Sequence, residues 1–188
     1  MAMLVVGLMV FFGVHLVPML APMRARLYEG AGEKRYKAVF SLVAALGLIL
    51  IVAGYAYAPA EPRQFAPLPA ARAAAPAAML ISFILLAAAH MKTHIRAAVR
   101  HPMLIGVGIW SGVHLLANGE TRATLLFGAF LAYSALALIS AIARHTFKPF
   151  NPVARQDMIA VVAGIALALL VMALHRPLFG VAAVPWGW

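Results

Sequence analysis

The chain contains no cysteine among its 188 residues, and only five acidic side chains. The first absence excludes disulfides, thiolate metal sites and cysteine nucleophiles. Charge of either sign is scarce: Asp, Glu, Lys and Arg together make up 11% of the chain, where a soluble domain carries about 25%. Hydrophobic residues instead reach 65%, with a mean hydropathy of +0.95. So little polar surface cannot clothe a water-soluble domain of this size, and the solvent for most of the chain must be lipid.

The charge that is present is lopsided, with a formal net of +10. A nucleic-acid interface would gather its basic residues on one soluble face. Here they sit in short clusters between apolar runs, the placement that the positive-inside rule produces. No nucleic-acid partner is expected.

Six windows lack Asp, Glu, Lys and Arg altogether: residues 1–23, 38–60, 73–91, 101–119, 123–143 and 158–175. A helix needs about 20 apolar residues to cross the hydrocarbon core, so the windows predict a polytopic, all-α transmembrane bundle of about six helices. The two-residue alternation of a membrane β-barrel is missing from these Ala-, Leu- and Met-rich runs. The first window has no basic leading segment and is long enough to span, so it reads as a helix and not as a cleaved signal. The loops after the first, third and fifth windows hold eleven of the fifteen basic residues. Counting charge in this way puts those loops in the cytoplasm and both termini outside. The stretch PAEPRQFAPLPAARAAAP reads as an irregular outer loop, and the closing VPWGW as part of an interfacial aromatic belt. Residues 1–188 are expected to form a single transmembrane domain.

Polar groups inside a bilayer are costly and normally face the bundle interior or a cavity. No window holds an Asp or Glu, which argues against a proton or ion relay. What the windows do hold is histidine. In the fourth, Ser111, His114 and Asn118 share one helix face at i, i+3, i+7, and Gly108 and Gly112 form a Gly-xxx-Gly pair suited to a close helix neighbour. In the first, His15 lies one turn before Pro18, which should kink or loosen the helix. The third helix ends in AAAHMKTHIR, where His90 and His94 stand at i, i+4, a metal-pair spacing, although His94, with Lys92 and Arg96 beside it, reads rather as a headgroup contact.

At 1.5 Å per residue, His15 lies ~13 Å from Arg24, His90 ~9 Å from Arg96 and His114 ~20 Å from His101. His101 and His145 sit at the inner surface and His175 at the outer one. His15, His90 and His114 are therefore the histidines deep enough to meet inside a bundle. Two uses are open to them: hydrogen bonds between helices, or ligation of a buried cofactor. Haem is the cofactor such imidazoles would suit. Its propionates would want cationic partners at an interface, for which Arg24, Arg26 and Arg100 are candidates.

Three stretches carry a resemblance. RHPMLIGVGIWSGVHLLANGE (100–120), FFGVHLVPMLAPMR (11–24) and HRPLFGVAAVP (175–185) resemble the NnrU family, over nearly the whole chain. The resemblance implies a multi-pass protein of the bacterial inner membrane that supports nitric oxide reductase activity in denitrification. Its partner would be the reductase or the machinery that assembles it. The family is also related to the plant 15-cis-ζ-carotene isomerase, a haem b protein with histidine ligands. Carried over residue by residue, that likeness implies haem b on His114, thirteen positions after the His-Pro pair, and on His15, with His90 in reserve. The isomerase uses a cysteine near the helix histidine that matches His114, and this chain has none, so ligand-switching chemistry is not carried over.

A second resemblance competes. RHPMLIG is similar to the Arg-His-Pro-x-Tyr-x-Gly motif of isoprenylcysteine-methyltransferase-like membrane enzymes, where it helps bind S-adenosylmethionine. Arg100, His101 and Pro102 occupy the matching end of a helix. The tyrosine of that motif is absent, however, and the expected acidic pair is reduced to Asp157. A third possibility is an accessory factor with no cofactor. Composition and spacing do not separate an enzyme from an assembly factor.

Overall fold

The computed structural model describes residues 1–183. Its elements are α1 (Ala2–Leu16), a 3-10 turn (Val17–Met19), α2 (Ala21–Ala31), α3 (Glu33–Tyr57), α4 (Pro69–Ala88), α5 (His94–Val99), α6 (Pro102–Ala117), α7 (Thr121–Ala143) and α8 (Ala154–Phe179). No strand occurs among the described residues, only an isolated antiparallel bridge between Arg63 and Glu120. Five stretches are long and apolar enough to cross a membrane, and α6 is a shorter apolar helix. The chain is an all-α, multi-pass membrane protein. The tryptophan belt expected of VPWGW falls on residues 184–188, outside those described.

The first window is broken and the fourth trimmed, for local reasons. The first is interrupted at Pro18, whose missing N–H and ring end α1 at Leu16 and turn the chain into the 3-10 segment. The kink expected there is present. The fourth is shorter than its charge-free run. His101 caps the start of α6, Pro102 takes the first helical position, and Asn118 is already extended at the other end. The remaining 16 residues make a rod of ~24 Å, against the ~30 Å of a hydrocarbon core.

The chain divides into two compact units. The first, residues 1–65 and 119–129, is built on the pairing of α1 with α3. Three glycines hold this contact open. A Cβ placed on Gly7 would lie 2.6 Å from the backbone N of Ile51, one on Gly47 2.7 Å from the N of Phe11, and one on Gly54 2.4 Å from the N of Leu4. The backbones therefore meet directly, in the manner of small-residue packing in membranes. Leu4 and Ile51, at 0% and 3% exposed, are the side chains sealed beneath.

The far end of α3 is closed by Arg122. Its guanidinium donates to the carbonyls of Tyr55 (3.4 Å) and Ala58 (3.2 Å) and to the Glu120 carboxylate (2.9 Å), and lies over the Tyr55 ring. Both carbonyls stand at the end of α3, where intrahelical donors run out; Tyr55 O also accepts the Ala58 backbone N–H at 3.3 Å. The Pro-rich loop, read from sequence as irregular, is stitched to the start of α7. Gln64 donates its backbone N–H to Gly119 O (2.6 Å) and its side-chain amide to Thr121 Oγ1 (2.8 Å).

The second unit, residues 66–118 and 130 onward, has α4 packed against both α6 and α8. Small residues again set the spacing. A Cβ on Gly164 would meet Ile84 Cα at 2.5 Å, and one on Gly106 would meet Ser82 O at 3.0 Å. The buried Ser82 hydroxyl donates to Gly106 O at 2.8 Å, so a polar side chain is spent at the tightest part of this contact. The first turn of α4 is tied to the last turn of α6 by Leu68 N–H to Leu116 O (2.9 Å) and Arg72 Nε to Ala117 O (3.1 Å). The Gly108–Gly112 pair is not where the closest approach occurs. Its Cβ positions would find Ser134 Cβ at 3.8 Å and Leu131 Cδ1 at 3.9 Å, ordinary contacts with α7.

Candidate functional site

His114 lies near the end of α6, half-buried, with its Nδ1–H donated to the carbonyl of Trp110, 2.8 Å away. A carbonyl only accepts, so this bond assigns the proton to Nδ1 and leaves the lone pair on Nε2. The ring is steadied by its neighbours. Trp110 stands 5.7 Å from it, and Phe130 of α7 packs edge-on against Trp110 at 5.3 Å. One turn back, Ser111 is fully buried, and its hydroxyl donates to Val107 O at 2.7 Å. The polar stripe expected on this helix is thus real for Ser111 and His114.

The neighbour that charge counting missed is His175. The sequence places it at the outer surface, at the close of the last apolar window. In the structure its ring is nearly parallel to that of His114, with centroids 6.5 Å apart. Its Nδ1–H donates to Val181 O at 2.8 Å, across the left-handed cap at Gly180 (φ 75°). A backbone turn after α8 thus fixes the tautomer. The only sequence signal for this was the glycine after the helix, which allows the chain to double back.

In the first unit, His15 is held in the same way. Its Nδ1–H donates to Phe11 O at 2.6 Å, and the ring stacks on Phe11 (4.2 Å) and meets Phe40 (5.1 Å). From Phe40 the aromatics continue through Tyr36 to Tyr28. His15 and His114 belong to different units, and each has its ring nitrogen anchored on its own helix.

His90 and His94 do not share a helix face. The sequence reading carried one helix through Met91, but α4 ends at Ala88 and the chain turns before α5 begins at His94. This places His90 in the turn, exposed, and removes the i, i+4 register on which a metal pair depended. The break has a cause: Thr93 caps α5 by accepting from Arg96 N–H at 2.9 Å, and Asp157 accepts from the His94 backbone N–H at 2.8 Å. His94 Nδ1 also bonds the Asp157 carboxylate, at 2.6 Å, and is engaged with α8. Arg100 closes α5 in a left-handed conformation (φ 62°) with its side chain exposed. Arg24, on α2, lies over the ring of Tyr28 at 5.1 Å.

Among the described residues, no three His, Cys, Asp or Glu side chains come together as they would around an ion held by protein groups alone. The profile of the NnrU protein family matches residues 3–183. The chain belongs to the NnrU family. Neither the curated proteins nor the solved structures contain a match. With five apolar stretches long enough to cross a membrane among its described residues, this NnrU chain is a multi-pass membrane protein.

Proposed function

We propose that this NnrU protein binds haem b in the bacterial inner membrane and supports nitric oxide reductase activity during denitrification. The observation that carries the reading is the anchored imidazole of His114, whose Nδ1–H is fixed on Trp110 O. Metal-ligating histidines are oriented in this way by a second hydrogen bond. Haem would supply most of the ligands to its own iron, so one or two such imidazoles would suffice, and the missing three-residue cluster is no obstacle. The donor set therefore fits. His114 is the proposed ligand, and His15, anchored on Phe11 O, is the second candidate. His90, exposed in its turn, is a weaker one, and Arg100 is a cation available to a propionate. When bound, the group supplies one-electron chemistry at iron, and this chain's residues hold it and set its polarity.

The test is an absorption spectrum of the detergent-purified protein, as isolated and after dithionite. A Soret band with sharp reduced α and β bands is expected. His114→Ala should remove it, while His94→Ala, which loses only its bond to Asp157, should keep it. Full haem content in His114→Ala would defeat the ligand assignment. A featureless spectrum after haem has been supplied would defeat the reading itself.

A further inference from the structure

The helix α2 buries none of its residues. It stands between the 3-10 turn at Pro18 and Gly32, whose left-handed φ of 77° starts α3. Leu20, Met23 and Leu27 remain 53%, 47% and 39% exposed. At 3.6 residues per turn these three fall in one stripe about 60° wide, bordered by Arg24 on one side and Arg26 on the other. The acidic Glu29 lies on the opposite face. Lys34, Arg35 and Lys37 follow in the opening turns of α3, where Lys37 pairs with Glu33 at 2.6 Å. Tyr28 of α2 stacks on Tyr36 of α3 at 4.7 Å, which holds the two basic segments together.

We infer that α2 lies in the headgroup layer and binds anionic phospholipid there. This inference is independent of any cofactor. Connectivity puts α2 at a membrane surface, since it joins two stretches that cross the bilayer. An apolar stripe edged by arginines, with the acid turned away, is the pattern of a helix lying in the plane of an anionic interface. Residues 24–37 hold five basic and two acidic side chains, so the segment complements a negative leaflet. An acidic protein or a second copy of the chain would need a partner for the apolar stripe as well. The bilayer supplies both at once.

The missing cysteines make the test clean. Leu27→Cys and Glu29→Cys, made separately in the full chain, each carry one polarity-sensitive fluorophore. The labelled proteins are reconstituted into phosphatidylcholine vesicles with and without phosphatidylglycerol. The label at 27 should shift to the blue and resist iodide quenching when phosphatidylglycerol is present, while the label at 29 stays accessible. A basic residue near an anionic surface strengthens binding about fivefold. Arg24→Gln with Arg26→Gln should therefore abolish most of the shift at the phosphatidylglycerol fraction that gives the parent half its shift, and the paired Arg→Lys changes should preserve it. The inference is overturned if the label at 27 responds equally in pure phosphatidylcholine and ignores the Arg→Gln changes. It is overturned also if shielding follows protein concentration, which would mark a second copy, or appears only when an acidic protein is added.

Discussion

Gly54→Leu is expected to prevent stable folding of the first unit. A Cβ at this position would sit 2.4 Å from the backbone N of Leu4 and 2.6 Å from its Cα. Both are main-chain atoms of α1, so no rotamer change relieves the overlap, and the helices must separate by about 1 Å to reach ordinary contact distance. Separation at Gly54 also loosens the contacts at Gly7 and Gly47, because all three lie on one helix pair. Alanine at an exposed helical position gains about 1 kcal/mol over glycine. Overpacking against rigid surroundings costs about 1–3 kcal/mol or more. Even Gly54→Ala should therefore melt lower than the parent, and leucine should lose most of the folded protein. The control is Gly13→Leu on the facing helix, whose Cβ position has nothing within 4 Å. Fluorescence-detected size exclusion after heating would rank the three. If Gly54→Leu melted with Gly13→Leu, the direct backbone contact between α1 and α3 would be wrong.

The second large effect is expected at Arg122. Arg122→Met keeps an apolar stem of similar length but withdraws donors from the carbonyls of Tyr55 and Ala58 and from Glu120. The ion pair is about three-quarters buried, with side chains 24% and 22% exposed. A carboxylate left without its partner there is costly, and hydrogen bonds to charged groups are worth about 1.5–3 kcal/mol. We expect a loss of about 2–3 kcal/mol, which for a domain of this size lowers the melting temperature by roughly 5 °C or more. Glu120→Gln combined with Arg122→Met should cost less than the sum of the two alone, because the orphaned carboxylate is then gone. Strict additivity would show that the two side chains are not coupled. Arg122→Lys should recover only part of the loss, since an ammonium cannot reproduce the planar fork that spans three acceptors.

Much of the architecture followed from composition. The charge-free windows located every long helix, since a bilayer admits few other ways to satisfy backbone groups. Pro18 announced the break after α1, and Pro102 the start of α6, because proline's constraints are local. Helix ends decided by side chains from elsewhere were less legible. The window through Met91 contained no marker for a stop at Ala88; the stop depends on Thr93 and on Asp157, the latter 64 residues beyond. With that break went the shared face of His90 and His94.

The site divides in the same way. The helix face of Ser111 and His114 could be counted along the chain, because a helix maps sequence spacing directly onto angle. The approach of His175 to His114 was not countable, since it depends on how α8 packs in its unit and on a return of the chain at Gly180. The same limit applies to glycine. The sequence marked Gly108 and Gly112 by their spacing, whereas the tight contacts belong to Gly7, Gly47, Gly54 and Gly164. By itself, then, the sequence determined that this chain lives in a membrane as apolar helices, roughly where they run, and that Ser111 and His114 share a helix face. Which faces meet was decided only by the tertiary structure, because in lipid an apolar face has no solvent reason to prefer a protein neighbour, and close packing makes the choice.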